Sequence, residues 1–97
     1  MKALIEIANQ LHALDLKMAK EPNVAAYTRH LSRIRSLLAE EGIVYHSPEG
    51  EKYADTRTDI EATITGQATE NLTIGQVIKP IVMFNNQIVQ TGIVIVS

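Results

Sequence analysis

The sequence predicts an α+β fold, with an N-terminal αα-hairpin followed by a small antiparallel β module. Three observations carry this expectation. Up to Glu41 the apolar residues recur every three or four positions, the period of a helix face. Beyond Gly42 they alternate with polar residues or run together, the period of strands. Glycine, asparagine and proline punctuate the second region at turn-like intervals.

The first helix rests on Leu4, Ile7, Leu11, Leu14 and Met18, whose spacing is that of a heptad seam. Glu21-Pro22-Asn23 ends it, because proline lacks the donor that a helix needs and pushes its predecessor out of the α region. Val24, Tyr27, Leu31, Ile34 and Leu38 repeat the same spacing in a second helix. Gly42 is suited to close it as a left-handed C′ residue. The hairpin is thus expected over residues 2–41, with residues 1–42 forming a helical dimerisation unit and 43–97 a β wing. Two such helices cannot bury both seams together with Ile5, Leu16 and Leu37. Either the C-terminal half covers the surplus or a second copy does; the matched seams favour a homodimer closed by a four-helix bundle.

Ile43-Val44-Tyr45 reads as a short strand, and Ser47-Pro48-Glu49-Gly50-Glu51 as a turn. Ile60, Ala62 and Ile64 alternate with Glu61, Thr63 and Thr65, predicting a half-buried strand. Residues 66–71 read as a loop. A long β-rich run follows from Leu72 to Phe84, with Gly75 and Pro80 marking a bulge, a bend or an edge. Asn85-Asn86 suits the positive φ of a two-residue turn, so 81–90 is expected to be a hairpin. Thr91-Gly92 permits a kink before Ile93-Val94-Ile95-Val96, read as a strand buried on both faces.

Composition narrows the chemistry. The chain has 97 residues, 4% aromatics and a formal net charge of −2. That balance argues against nucleic-acid binding through base stacking or a basic field, and no membrane-spanning run is present. There is no cysteine, which removes thiolate catalysis and cysteine metal sites. The N-terminal residues do not resemble a signal-peptide core, and a cytoplasmic protein is expected. His12, His30 and His46 lack metal-ligand spacing. His12 and His30 are expected near bundle seams or in solvent. Glu49, Glu51, Asp55 and Asp59 read as a solvated acidic loop, partly neutralised by Lys52 and Arg57. Arg29, Arg33 and Arg35 with His30 read as a solvated basic face or a contact for an acidic partner. No nucleophile–base pair, phosphate loop or metal constellation stands out, so no enzyme and no cofactor is expected.

Leu38-Ala39-Glu40-Glu41-Gly42-Ile43, then Gly50-Glu51-Lys52-Tyr53, then Glu61-Ala62, in this order and ahead of a terminal hairpin, form a pattern of their own. It resembles the C-terminal part of the GrpE family, dimeric nucleotide exchange factors of DnaK-type heat-shock chaperones. Residues 77–97 can be laid on that family's last hairpin without a gap, with Asn85-Asn86 on its turn. The chain departs from the family pattern at Ile60, at Lys79-Pro80-Ile81-Val82 and at Gln90-Thr91-Gly92, and it has no long N-terminal coiled-coil helix. The resemblance implies a homodimeric co-chaperone whose β module docks on a DnaK-type ATPase domain and promotes ADP release. It implies partner-binding roles for Gly42, Ile78, Met83, Phe84, Asn85 and Asn86. For Ile78 and Phe84 core packing is the competing assignment, and for Gly42 a plain helix cap. A structural or protein-interaction dimer without exchange activity is the alternative function.

Overall fold

A computed structural model describes residues 1–23, 25–67 and 70–97. The fold is α+β. Helix α1 spans Lys2–Met18 and helix α2 spans Ala25–Glu40. Six strands follow: β1 Ile43–His46, β2 Ile60–Ile64, β3 Ile74–Lys79, β4 Ile81–Phe84, β5 Gln87–Gln90 and β6 Gly92–Val96. They form two three-stranded sheets, ordered β1-β4-β5 and β2-β6-β3.

Helix α1 stops short of Pro22. The N–H groups of Lys20 and Glu21 donate to the carbonyls of Lys17 and Met18 at 3.2 and 3.1 Å, a tightened last turn before the proline. Helix α2 closes in the same manner, with Gly42 N–H donating to Ala39 at 2.9 Å. Gly42 has φ +87°, the left-handed geometry that glycine adopts without a Cβ penalty.

The register of the first sheet makes it the middle layer. Ile43 faces Phe84 and Tyr45 faces Val82, and all four pack with Ala8, Leu11, Leu31 and Leu38 beneath the helices. On the opposite face Ile81 and Met83 join the core of the second sheet, built from Ile60, Leu72, Ile74, Val77, Val94 and Val96. Period-two alternation along β4 therefore serves two cores with one strand.

The chain changes sheets at Pro80 and again at Thr91, so what reads as one β-rich run is two strands belonging to different sheets. Buried Pro80 donates nothing, which suits the point where one ladder stops and another starts. Gly92 sits where an added Cβ would meet Ile81 Cγ1 at 3.0 Å and Ile60 Cγ2 at 3.3 Å, so the two sheets converge on it. The β3–β6 register shifts beside Gly75, as expected of a bulge there.

Three expectations need correction. The β module is not wholly antiparallel: β2 runs parallel to β6, because the 60–64 and 92–96 segments enter the sheet from the same end. Strand β6 is buried on one face only, through Val94 and Val96, while Ile93 and Ile95 are half-buried, since no third layer covers that side. His12 is neither in solvent nor at a bundle seam; at 3% exposure it lies in the core under α1.

Candidate functional site

The heptad seams are divided lengthwise. In α1, Leu11 is buried and Leu4 and Met18 are partly buried against the core, whereas Ile7 is 43% exposed and Leu14 is exposed as well. In α2, Leu31 and Leu38 are buried, whereas Tyr27 is 60% exposed and Ile34 is exposed. Val24, the remaining seam residue, lies outside the described residues. Members seven apart share a fate because the sheet meets each helix on one flank of its stripe. Ala8 and His12 take the extra buried positions on α1. What remains outside is an open groove of about 400 Å³ lined by Ala3, Glu6, Ile7, Gln10, Leu14 and Ile34, with Leu11 also reaching its wall.

At the other end of α2 the chain makes a corner. Asn85 N–H donates to Gly42 O at 3.0 Å, joining the hairpin tip to the helix–strand junction. Asn85 and Asn86 have φ of 49° and 68°, the paired left-handed conformation of a type I′ turn. The Phe84 ring edge and the Asn85 side chain both lie against Gly42, where a Cβ would collide with the latter. Ala39, Gly42, Val44, Met83, Asn85 and Asn86 line a hollow of about 290 Å³. Val44 and Met83 are cross-strand partners on the face away from the helices, and Val44 is 53% exposed because the second sheet does not reach it.

Of the six residues that sequence reasoning marked for partner binding, the fold therefore gathers Gly42, Met83, Phe84, Asn85 and Asn86. Phe84 is half-buried and packs towards the helices, so its core role and its place at the corner coexist. Ile78 does not join them: it is 55% exposed on β3, in the other sheet. Val44 and Ala39 were missed, although Val44 follows Gly42 by two residues and alternation alone puts it on the face opposite Ile43.

Charged groups are occupied with structure. Tyr45 OH donates to Asp15 Oδ2 at 2.7 Å, and Arg35 donates to Asp15 Oδ1 at 2.8 Å, tying β1, α1 and α2 together. Burial pushes the Tyr45 hydroxyl up, keeping it a donor. Arg35 is accordingly not part of a free basic face. The acidic loop is likewise more than solvated: Arg57 binds Asp59 through two bonds of 3.0 and 2.9 Å and meets Glu51 at 3.2 Å, and Glu51 also contacts His46. Hydrogen bonds from Arg57 hold Asp59 below the usual carboxylate range.

His12 Nε2 and Ser47 Oγ are buried without a hydrogen-bond partner. Burial pushes the His12 imidazole down, outweighing Asp15 and Glu49 nearby, so it packs as a neutral ring. Among the described residues no group of three or more His, Asp or Glu side chains could hold a metal ion. No described helix is long and apolar enough to cross a membrane. No family model, curated protein or solved structure matches the chain.

Proposed function

We propose that the chain is a GrpE-like co-chaperone: a homodimeric cytoplasmic adaptor that docks its β module on a DnaK-type ATPase domain and favours ADP release. It performs no chemistry of its own and needs no cofactor. The observation that carries this reading is the corner at Gly42. There, four residues marked by the family resemblance, Gly42, Met83, Asn85 and Asn86, line a hollow held by a backbone hydrogen bond and a tight turn, with Phe84 packed towards the helices beside them. An exchange factor works by binding the open state of its partner better than the closed one, so a rigid, preformed surface is the asset it needs. The outward halves of both heptad seams support the dimer, since a second copy would cover Ile7, Leu14, Tyr27 and Ile34.

Calorimetric titration with a DnaK-type ATPase domain tests the proposal. Tighter binding to the nucleotide-free domain than to the ADP-bound one, with faster release of a fluorescent ADP analogue, is the expected result. Absence of both overturns it. A second reading, a structural dimer with no exchange activity, draws on the apolar groove alone; it would be favoured by a dimer that neither binds the ATPase domain nor speeds release.

A further inference from the structure

The first sheet is the middle layer of the fold, and its β5 edge is open. The strands run β1-β4-β5, so β5 has a neighbour on one side alone. Phe84 and Gln87 flank the two-residue turn as register partners, and in such a hairpin they exchange the first ladder bonds. The next residue, Ile88, therefore directs its N–H and C=O away from β4. Among the described residues no backbone group outside the β4 ladder bonds to it. Each of the other edge strands carries an ionisable side chain of the kind that deters a further strand: His46 on β1, Glu61 on β2 and Lys79 on β3. Strand β5 reads Gln87-Ile88-Val89-Gln90 and has none, and Ile88 and Val89 are both exposed. Open main-chain groups beside open apolar side chains are what an added strand satisfies.

Along β5 lies a hollow of about 480 Å³. Ile5 of α1 lines it from the helical layer, and Lys79 and Ile93 line it from the second sheet, with Ile88 and Val89 between them. Both outer layers thus border the space that a fourth strand of the middle layer would fill. Gln90 pins one end of it. The Gln90 side-chain amide exchanges bonds of 2.7 and 3.1 Å with that of Asn9 on α1, and also donates to Pro80 O at 2.9 Å. Lys79 sets the charge of the hollow. Unlike Arg35 and Arg57 it has no ion pair among the described residues, and Glu61, the neighbour of Ile93 on the other side, makes none with it.

We propose that this hollow receives an extended segment of a protein partner, apolar with one carboxylate, as a fourth strand of the first sheet. The ladder runs through Ile88, apolar side chains pack against Ile5 on one face and Ile93 on the other, and an aspartate or glutamate meets Lys79. A second copy of β5 is the poorer occupant, because Gln87-Ile88-Val89-Gln90 has no acid to offer Lys79. Val89 is the extra residue where the β4–β5 register shifts, and that bulge keeps the added strand short. The hollow shares no lining residue with the corner at Gly42, so the inference goes beyond the exchange reading and does not depend on it.

Three fluorescein-labelled peptides test this on the full chain: a short valine–threonine alternation with one central glutamate, its lysine counterpart, and the glutamate peptide fully N-methylated. Anisotropy should show the glutamate peptide binding at least about tenfold more tightly than the lysine one, with the preference shrinking as salt rises. The N-methylated form, which has no donors for a ladder, should not bind. Hydrogen exchange at the Ile88 amide should slow when the glutamate peptide is present. Lys79→Glu, at an exposed position, should reverse the preference between the charged peptides. Ile88→Pro removes the outward donor and should abolish binding; should that variant fail to fold, the N-methylated peptide makes the same test on the unaltered chain. No binding of the glutamate peptide, equal binding of the two charged peptides, binding that survives N-methylation, or unchanged exchange at Ile88 would each overturn the inference. Protection of Ile88 in the chain alone, growing with protein concentration, would place a second copy on this edge and overturn it too.

Discussion

The Tyr45 hydroxyl donates to Asp15 at 2.7 Å across thirty positions of sequence, and this bond pins the first strand to the first helix. Asp15 takes its second bond from Arg35 on α2, so one carboxylate holds three elements. Tyr45→Phe should cost about 1 kcal/mol, the usual net worth of a hydrogen bond, because Arg35 still satisfies the carboxylate. Asp15→Ala should cost more, about 1–3 kcal/mol, since Tyr45 and Arg35 both lose their shortest bond and keep only the longer Arg35–Tyr45 contact at 3.4 Å and Arg35–Ser32 at 3.3 Å. Urea unfolding of the two single variants and the double variant should show non-additive losses; additive ones would mean that the two bonds act independently.

The divided seams lead to opposite outcomes for neighbouring residues. Ile7→Asp and Ile34→Asp should leave a folded chain that sediments as a monomer at tens of micromolar, because both sites are exposed within the chain. Leu11→Asp should unfold the chain itself, since that side chain is already buried in it. A wild type that sediments as a monomer would remove the dimer.

Gly42→Ala should destabilise by about 1 kcal/mol or more, because the left-handed φ is strained for any residue with a Cβ and the new atom meets the Asn85 side chain. Asn85→Gly in the same chain removes that collision and should recover part of the loss. Chemical denaturation of the three variants is the measurement; no recovery would mean that backbone strain alone sets the cost.

His12 sets the acid side of the stability curve. Its folded pKa lies below the ordinary 6.5 because burial disfavours the charged ring. The unfolded chain therefore takes up this proton first, and stability is complete above about pH 6.5 and falls as pH drops below it. One proton limits the slope to about 1.4 kcal/mol per pH unit. Thermal melts between pH 7.5 and 5 should show the decline, and His12→Gln should flatten it. An unchanged profile in the variant would place the titrating group elsewhere. The contribution of Asp59, whose pKa is depressed by Arg57, is lost only at still lower pH, below the ordinary value of 3.8.

Helices, turns and strand positions were legible in the sequence because each depends on local chemistry. Asn85-Asn86 announced its turn through the φ values that asparagine tolerates, and Gly42 announced the end of α2 through the φ that glycine tolerates. The pairing of strands was not legible, since β2 lies parallel to β6 by virtue of contacts made thirty residues away. The same limit hid the fate of the seams. Leu11 and Leu14 look alike in a heptad, and only the position of the sheet decides which of them is buried. His12 was misplaced for a related reason: the spacing of leucines alone centres the stripe on Leu11, whereas Ala8 and His12 turn the buried face towards β1. The corner came into view through family resemblance rather than periodicity. The same resemblance places Ile78 on the docking surface, although the switch of sheets at Pro80 carries it away.

That switch has a kinetic consequence. Along the chain the strands visit the first sheet, then the second, then the first again and finally the second. The two sheets are interleaved along the chain, because the β4–β5 hairpin lies between two strands that themselves pair. The segment from Ile74 to Val96 contains the nearest pairings in sequence and can assemble early at small loop-closure cost. Strand β1 must then find β4, and β2 must find β6, each over more than thirty residues. The helices, which need Ile43 and Val82 beneath them, acquire their floor only at that late step. A ribosome must release the chain beyond Val82 before the helical hairpin has its floor, and until then Leu11, Leu31 and Leu38 would stand as open to other chains as the outward seam does in the finished fold.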